Sequence, residues 1–285
     1  MLSKELPGFI QTLPKKSIVM NRTLIGLILV LAVFAGLGGL GWYCVKDRVR
    51  SKKEYLLSAD KIIVFPPLPD WIPDRFIEDV LQSSGLNRTG SLLDKTFSQK
   101  LAEAFAAYPW VEQVEHVVPR YPSGAEVKLS YRVPVALVEV PQHGLFPVDR
   151  SGVLLPSEYL TNTISDRRNE HLIVQGIQST PLGSAGTPWG DPLVQTAAQL
   201  AAALTDITGP LKLARIIPAM ETTPSGARII CRLKTANGME IHWGTSAPDD
   251  PKIDAKKKRL WDLNEQFRSL DNVPIRFQPI DLSKE

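Results

Sequence analysis

The sequence predicts an α+β fold: a single N-terminal transmembrane helix, then a small β-α-α-β-β module, then a larger domain built on a mixed sheet with helices. Three observations predict it. Residues 24–45 are apolar or small, without one charge. Between 55 and 133 the hydrophobic period runs from strand to helix, helix again, and back to strand twice. From 193 onward, two further helical periods enclose strand-like runs, two of them joined by a glycine turn.

The uncharged run comes first. Its 22 residues, at ~1.5 Å of rise each, make a helix roughly 33 Å long, enough to cross a hydrocarbon core about 30 Å thick. A cleaved signal peptide is the competing reading, because Val33 and Ala35 suit a signal peptidase site before Gly36. The apolar stretch continues for ten residues past Ala35, however, and Trp42 and Tyr43 stand where interfacial aromatics anchor a true span. A retained span leaves a tail at 1–23, a linker at 46–54 and about 230 residues beyond, enough for one or two folded domains.

The flanking charges disagree with the simplest topology rule. Lys15, Lys16 and Arg22 precede the run, whereas Lys46, Arg48, Arg50, Lys52 and Lys53 follow it. A bare count of cations would therefore place the long part inside, but large domains translocate largely regardless of flanking charge. Residues 1–53 carry nine Lys and Arg against Glu5 and Asp47, a net of +7, so the rest of the chain sums to −4 within a whole-chain charge of +3. A mildly acidic body lacks the basic face that releases counterions from phosphates, which disfavours nucleic-acid binding. The basic cluster after the span reads instead as contact with lipid headgroups.

Cys44 at the end of the span and Cys231 in a strand-like run are badly placed for a disulfide, and no metal or redox spacing is present. The large part must be held by its core. A 44% hydrophobic composition makes that feasible at this length.

Within that part, residues 55–64 read as a strand stopped by Pro66 and Pro67. Phe76, Ile77, Val80 and Leu81 recur at helical spacing behind Pro73, as do Phe97, Leu101, Ala104, Phe105 and Tyr108. A strand over 111–118 follows, then a turn at Pro122, Ser123 and Gly124. Val127, Leu129, Tyr131 and Val133 then alternate with Lys128, Ser130 and Arg132 as a half-buried strand. That order fits two helices covering one face of a three-stranded sheet. In it, Pro109 ends a helix and the Trp110 indole seals the helix end where the chain turns into Val111.

The following domain reads in the same way. Leu193, Ala197, Leu200, Ala201 and Leu204 mark a helix. Strands at 211–217, 227–234 and 239–243 come next, the last two joined by Asn237 and Gly238, a strong hairpin turn. A helix around Leu260, Leu263 and Phe267 and a final strand over 276–282 complete the order.

Several of these segments, taken together and in sequence, resemble one family. Tyr108-Pro109-Trp110-Val111-Glu112-Gln113-Val114, Arg120-Tyr121-Pro122, Val127-Lys128-Leu129 and Arg132-Val133-Pro134-Val135-Ala136 are similar to the POTRA domain of the FtsQ/DivIB cell-division proteins, as is Leu92-Leu93-Asp94 before the second helix. Asp149-Arg150-Ser151-Gly152 resembles the "D-x-x-G" hairpin that opens the family's β domain, and Leu172-Ile173-Val174-Gln175-Gly176 the strand that follows. Gly244, the helix around Leu260 and the closing Ile280-Asp281-Leu282 resemble its "G … helix … I-D-L" ending. The chain departs from the pattern at Phe65-Pro66-Pro67, where the family has glycine, at Tyr131, where an acidic residue is common, and at Ser283, where the family has arginine. It also ends at Glu285, close behind the segment whose continuation helps dock a partner strand.

The resemblance implies a POTRA domain at 55–138 and a β domain at 139–285, outside the cytoplasm of a bacterial inner membrane and enriched at the division site. It implies a non-enzymatic scaffold of the division complex. Its partners would be small bitopic proteins of the FtsB and FtsL kind, other divisome proteins and membrane lipid, with no nucleic acid, small-molecule substrate or cofactor. Pro109, Trp110, Val111, Arg132 and Pro134 would carry the POTRA motif, with a structural or docking role.

The residues themselves offer little chemistry. His116, His143, His171 and His242 lack metal-ligand spacing, and each reads as a surface or satisfied strand position. Ser123, Ser151 and Ser225 lie beside glycine without a nucleophile elbow. The glycines at 183–186 and 36–39 lack the strand-before, helix-after context of a phosphate loop. Lys256, Lys257, Lys258 and Arg259 read as the solvated side of a helix, and Asn87-Arg88-Thr89 matches a glycosylation sequon. Small residues at Gly26, Ala32, Ala35, Gly36 and Gly39 suit close packing against another helix. The segment that best suits partner binding is Arg276, Phe277, Gln278, Ile280, Asp281 and Leu282. As a sheet edge it accepts a partner strand by β-augmentation; as an ordinary closing strand it does not. Two other classes stay open on sequence. A membrane-tethered cell-envelope hydrolase needs a histidine and a carboxylate brought together from distant positions. A POTRA-bearing transport or secretion component needs repeated units or a barrel.

Overall fold

The computed structural model describes residues 22–50, 56–160, 171–224, 226–245, 252–268 and 280–282, with side chains at 22–25, 28, 43–50, 88–89 and 266–268 outside the description. The chain divides into two units, Met1–Lys53 and Glu54–Glu285. In the first, one continuous helix, α1 (Arg22–Arg50), covers the whole uncharged run. Leu27, Leu29, Val30, Leu31, Val33, Phe34, Leu37, Leu40 and Trp42 are each more than half exposed, on every side of the helix. Among the described residues no helix is long and apolar enough to cross a membrane; the span expected at 24–45 extends past the described side chains, at 24, 25, 28 and 43–45.

The second unit is mixed α+β, as expected. Its first module contains β1 (Ile62–Phe65), α2 (Phe76–Ser84), α3 (Leu86–Thr89), α4 (Phe97–Ala106), β2 (Val111–Arg120) and β3 (Gly124–Tyr131). The sheet order is β1-β3-β2, with β1 parallel and β2 antiparallel to β3. The helical spacing does what the sequence requires of it. Phe76, Val80, Leu81, Leu101 and Phe105 pack with Ile62, Val127 and Leu129 in one core, while Ile63, Phe65 and Lys128, pointing to the other face of the sheet, are exposed. The Phe76 ring stands 5.0 Å from that of Tyr108 and 5.5 Å from that of Phe105. Full burial of each such side chain stabilises by roughly 1.5–3 kcal/mol.

Three local expectations need correction. The strand expected over 55–64 is confined to Ile62–Phe65; before it, Leu56 makes a lone bridge to Ser91, and Ala59–Lys61 form a 3-10 turn. The Ser58 hydroxyl donates to the Asp60 carboxylate there, the kind of local side-chain bond that competes with a strand. The short helix α3 was not expected; Gly85, at φ +71°, ends α2 in the left-handed region and starts it. Val133, expected to complete the buried alternation, is half exposed because β3 stops at Tyr131.

The larger sheet is built from β4 (Pro134–Val140), β5 (Gly144–Asp149), β6 (Leu172–Val174), β7 (Leu213–Thr223), β8 (Gly226–Thr235), β9 (Glu240–Thr245) and β10 (Ile280–Asp281), with α5 (Pro192–Thr208) after β6 and α6 (Ile253–Arg268) after β9. Its order is β10-β9-β8-β7-β6-β4-β5, parallel at β4/β6, β6/β7 and β9/β10 and antiparallel elsewhere. Residues 134–138, counted with the first module on sequence, therefore pair in the second sheet. The β4/β5 hairpin is a further element that the pattern did not reveal. The hairpin at Asn237 and Gly238 is present: Thr235 donates to the Met239 carbonyl at 3.0 Å, and Gly238 adopts φ +86°.

Helix α5 starts on Asp191, whose carboxylate accepts the Leu193 N–H at 2.8 Å, with Pro192 at the first helical position. Its buried stripe, Val194, Ala197, Ala198, Leu200, Ala201 and Leu204, packs on Val138, Val174, Ile216, Leu233 and Trp243.

Candidate functional site: an edge strand and the joint between the modules

Ile280 and Asp281 lie parallel to Ile241 and His242 of β9, at one end of the seven-stranded sheet. Leu282 N–H donates to the His242 carbonyl at 2.8 Å and its side chain is buried, while Ile280 packs part-buried on the same core. Strand geometry then turns the peptide groups of Asp281 the other way, away from β9, and its side chain is exposed. This is the arrangement that accepts an added strand. Of the other residues expected here, Arg276, Phe277 and Gln278 lie outside the described residues.

The support under this edge includes a feature that the charge pattern concealed. Lys256, expected on the solvated side of its helix with Lys257, is buried; its ammonium donates to the carbonyl of Trp243 at 3.0 Å and lies 5.3 Å from that ring. Charge and aromatic face together make a buried amine tolerable. Lys257 pairs with Asp206 of α5 at 2.8 Å, so only Lys258 and Arg259 are the exposed cations expected. Cys231, in the same core, has its thiol pushed up to about 12 by burial, which makes it inert at neutral pH.

Pro109, Trp110, Val111, Arg132 and Pro134, the residues expected to carry the first module's motif, meet where the two sheets join. Trp110 and Val111 are each 2% exposed, and the indole lies 6.0 Å from the Tyr159 ring. Arg132 N–H donates to the Trp110 carbonyl at 2.8 Å, tying the end of β3 to the start of β2, and the buried Pro134 opens β4. The guanidinium of Arg132 reaches Asp149 at 2.6 Å. Asp149 in turn accepts the N–H groups of Ser151 at 2.8 Å and Val153 at 2.9 Å, and Gly152 takes φ +74° in that turn. Sequence reasoning named Arg132 and the Asp149 turn but not their pairing. A lone acid closing an apolar run, three residues before a glycine, was the available signal.

Chemistry remains sparse among the described residues. His116 and His143 are exposed, His171 bonds the Tyr159 hydroxyl at 2.6 Å, and His242 lies on β9. No group of three or more His, Cys, Asp or Glu among the described residues suits a metal ion. Ser123 accepts from the Lys61 ammonium at 2.9 Å, Ser151 lies in the Asp149 turn, and Asn87 and Thr89 lie in α3; Ser225 is outside the described residues. No protein-family model matches the sequence, and no curated protein does.

Proposed function

We propose that the chain is a bitopic, non-enzymatic assembly protein of bacterial cell division, of the FtsQ/DivIB type. Residues 1–23 are the cytoplasmic tail, 24–45 the span and 46–54 the linker; a POTRA domain and a β domain lie outside the cytoplasm, enriched at the division site. The two domains hold small single-span partners of the FtsB and FtsL kind and link them to septal cell-wall synthesis.

One observation carries the reading: the last strand, β10, forms a sheet edge pinned inward by Leu282, with the backbone of Asp281 turned outward. By strand geometry such an edge directs backbone groups away from β9, the direction from which β-augmentation adds a strand. The β-α-α-β-β order of the first module and the sequence motifs at its joint support the same family. Helix α1 supports the span, since its large apolar side chains are exposed all round, and each forgoes roughly 1.5–3 kcal/mol of burial in water.

The test is purification of the intact protein from the membranes of its source, with mass spectrometry of what accompanies it. Two small single-span proteins with heptad repeats are expected. Recovery of none, or of a wall-degrading activity dependent on a histidine, overturns the reading.

A further inference from the structure

Away from the edge strand, the sheet face opposite α5 collects cations. Alternation places Arg215 and Ile217 of β7, Ile230, Arg232 and Lys234 of β8, and His242 of β9 on this one face, because Ile216, Cys231, Leu233 and Ile241 between them are buried in the core. Lys234 stands opposite Arg215, and Arg232 opposite both Ile217 and His242. Arg215 and Arg232 are thus diagonal neighbours, about 7–8 Å apart at the backbone.

Like charges on adjacent strands destabilise a sheet unless something opposes them. Lys234 has its counterion in Glu240 at 2.7 Å, and Asp281 lies beside His242 in register. Farther out, Glu221 pairs with Arg228, and Glu139 accepts from Gln175 at 2.6 Å. Among the described residues neither Arg215 nor Arg232 has a carboxylate within ion-pair distance, although Glu240, whose carboxyl is held low chiefly by Lys234, also feels the Arg232 charge; the Nε of Arg215 is buried without a hydrogen-bond partner there. A buried guanidinium N–H without an acceptor is costly. Residues 54–285 are acidic overall, so these cations stand out against their surroundings.

We propose that this face docks an extended acidic segment of a partner protein, with a carboxylate held between Arg215 and Arg232 and an apolar side chain set on Ile217 and Ile230. The two isoleucines favour a polypeptide over a phosphate or glycan polymer, which has no apolar group to match them. The bidentate donor geometry of arginine suits a carboxylate. The site is separate from the outward edge of β10 and requires no role in division.

The test uses the intact protein in lipid nanodiscs and a labelled eight-residue peptide alternating Val and Glu, read by fluorescence anisotropy at physiological salt. Binding is expected to fall at least tenfold when Gln replaces Glu in the peptide, and at least tenfold for the double variant R215A/R232A. The single variant R232Q, at an exposed side chain, is expected to weaken it at least threefold with an unchanged melting temperature. Equal affinity for the Gln peptide, unchanged binding by R232Q, or displacement by millimolar inorganic phosphate overturns the proposal; co-purification of the membrane partners in that event leaves the assembly reading intact.

Discussion

Arg132 and Asp149, 17 positions apart in sequence, meet at 2.6 Å with the arginine side chain 16% and the carboxylate 3% exposed. Their pair, with the two backbone N–H groups on the other carboxylate oxygen, fastens the end of the first sheet to the hairpin of the second. Removing one partner strands a buried charge, at a cost of about 3–5 kcal/mol. Asp149→Ala is therefore expected to destabilise the intact protein by that order in chemical denaturation. It should also speed tryptic cleavage after Arg132, beside the exposed Val133. The double variant D149A/R132M should recover part of the loss, since no unpaired charge remains. A double variant no more stable than D149A would show that the two residues act independently.

Lys256 offers a contrast within one run of cations. Its ammonium holds the carbonyl of Trp243 at the end of β9, and a hydrogen bond to a charged group contributes about 1.5–3 kcal/mol. Lys256→Met is expected to lower stability by about that much, whereas Lys258→Met, at an exposed position, should stay within about 0.5 kcal/mol. Equal effects would place Lys256 in solvent.

Cys231 makes stability depend on alkaline pH. Burial raises its thiol from 9.0 to about 12, so between those values the folded state keeps a proton that the unfolded state releases. The stabilising contribution is complete below pH 9 and is lost as pH rises toward 12, at about 1.4 kcal/mol per pH unit. Denaturation midpoints at pH 8.5 and 10 should converge partly in Cys231→Ser. Tyr108 and Tyr131, also raised to about 12 from 10.0 by burial, steepen the loss only above pH 10. An unchanged slope in the serine variant between pH 9 and 10 would rule the thiol out.

Much of the fold is legible in the sequence where a periodicity repeats. The stripes of α2, α4 and α5, the alternation of β3 and the Asn237-Gly238 turn each rest on several residues that agree. Shorter features are not legible. At 59–61 a local serine-to-aspartate bond outweighs strand propensity, and β4 hides inside a motif that the pattern assigned to the first module. Lys256 was misplaced because charge alone does not reveal a carbonyl and an indole waiting on a neighbouring strand. The edge strand was visible as a candidate, but its two sides were not. Only the Leu282 bond to His242 tells inward from outward.

That bond makes the central claim directly testable. In the intact protein purified from its own membranes, Asp281→Pro removes the outward N–H while keeping the inward bond of Leu282, whereas Asp281→Ala removes only the side chain. The account predicts that D281P recovers at least tenfold less of the small single-span partners than D281A, at an equal melting temperature. Equal recovery by the two variants would contradict it.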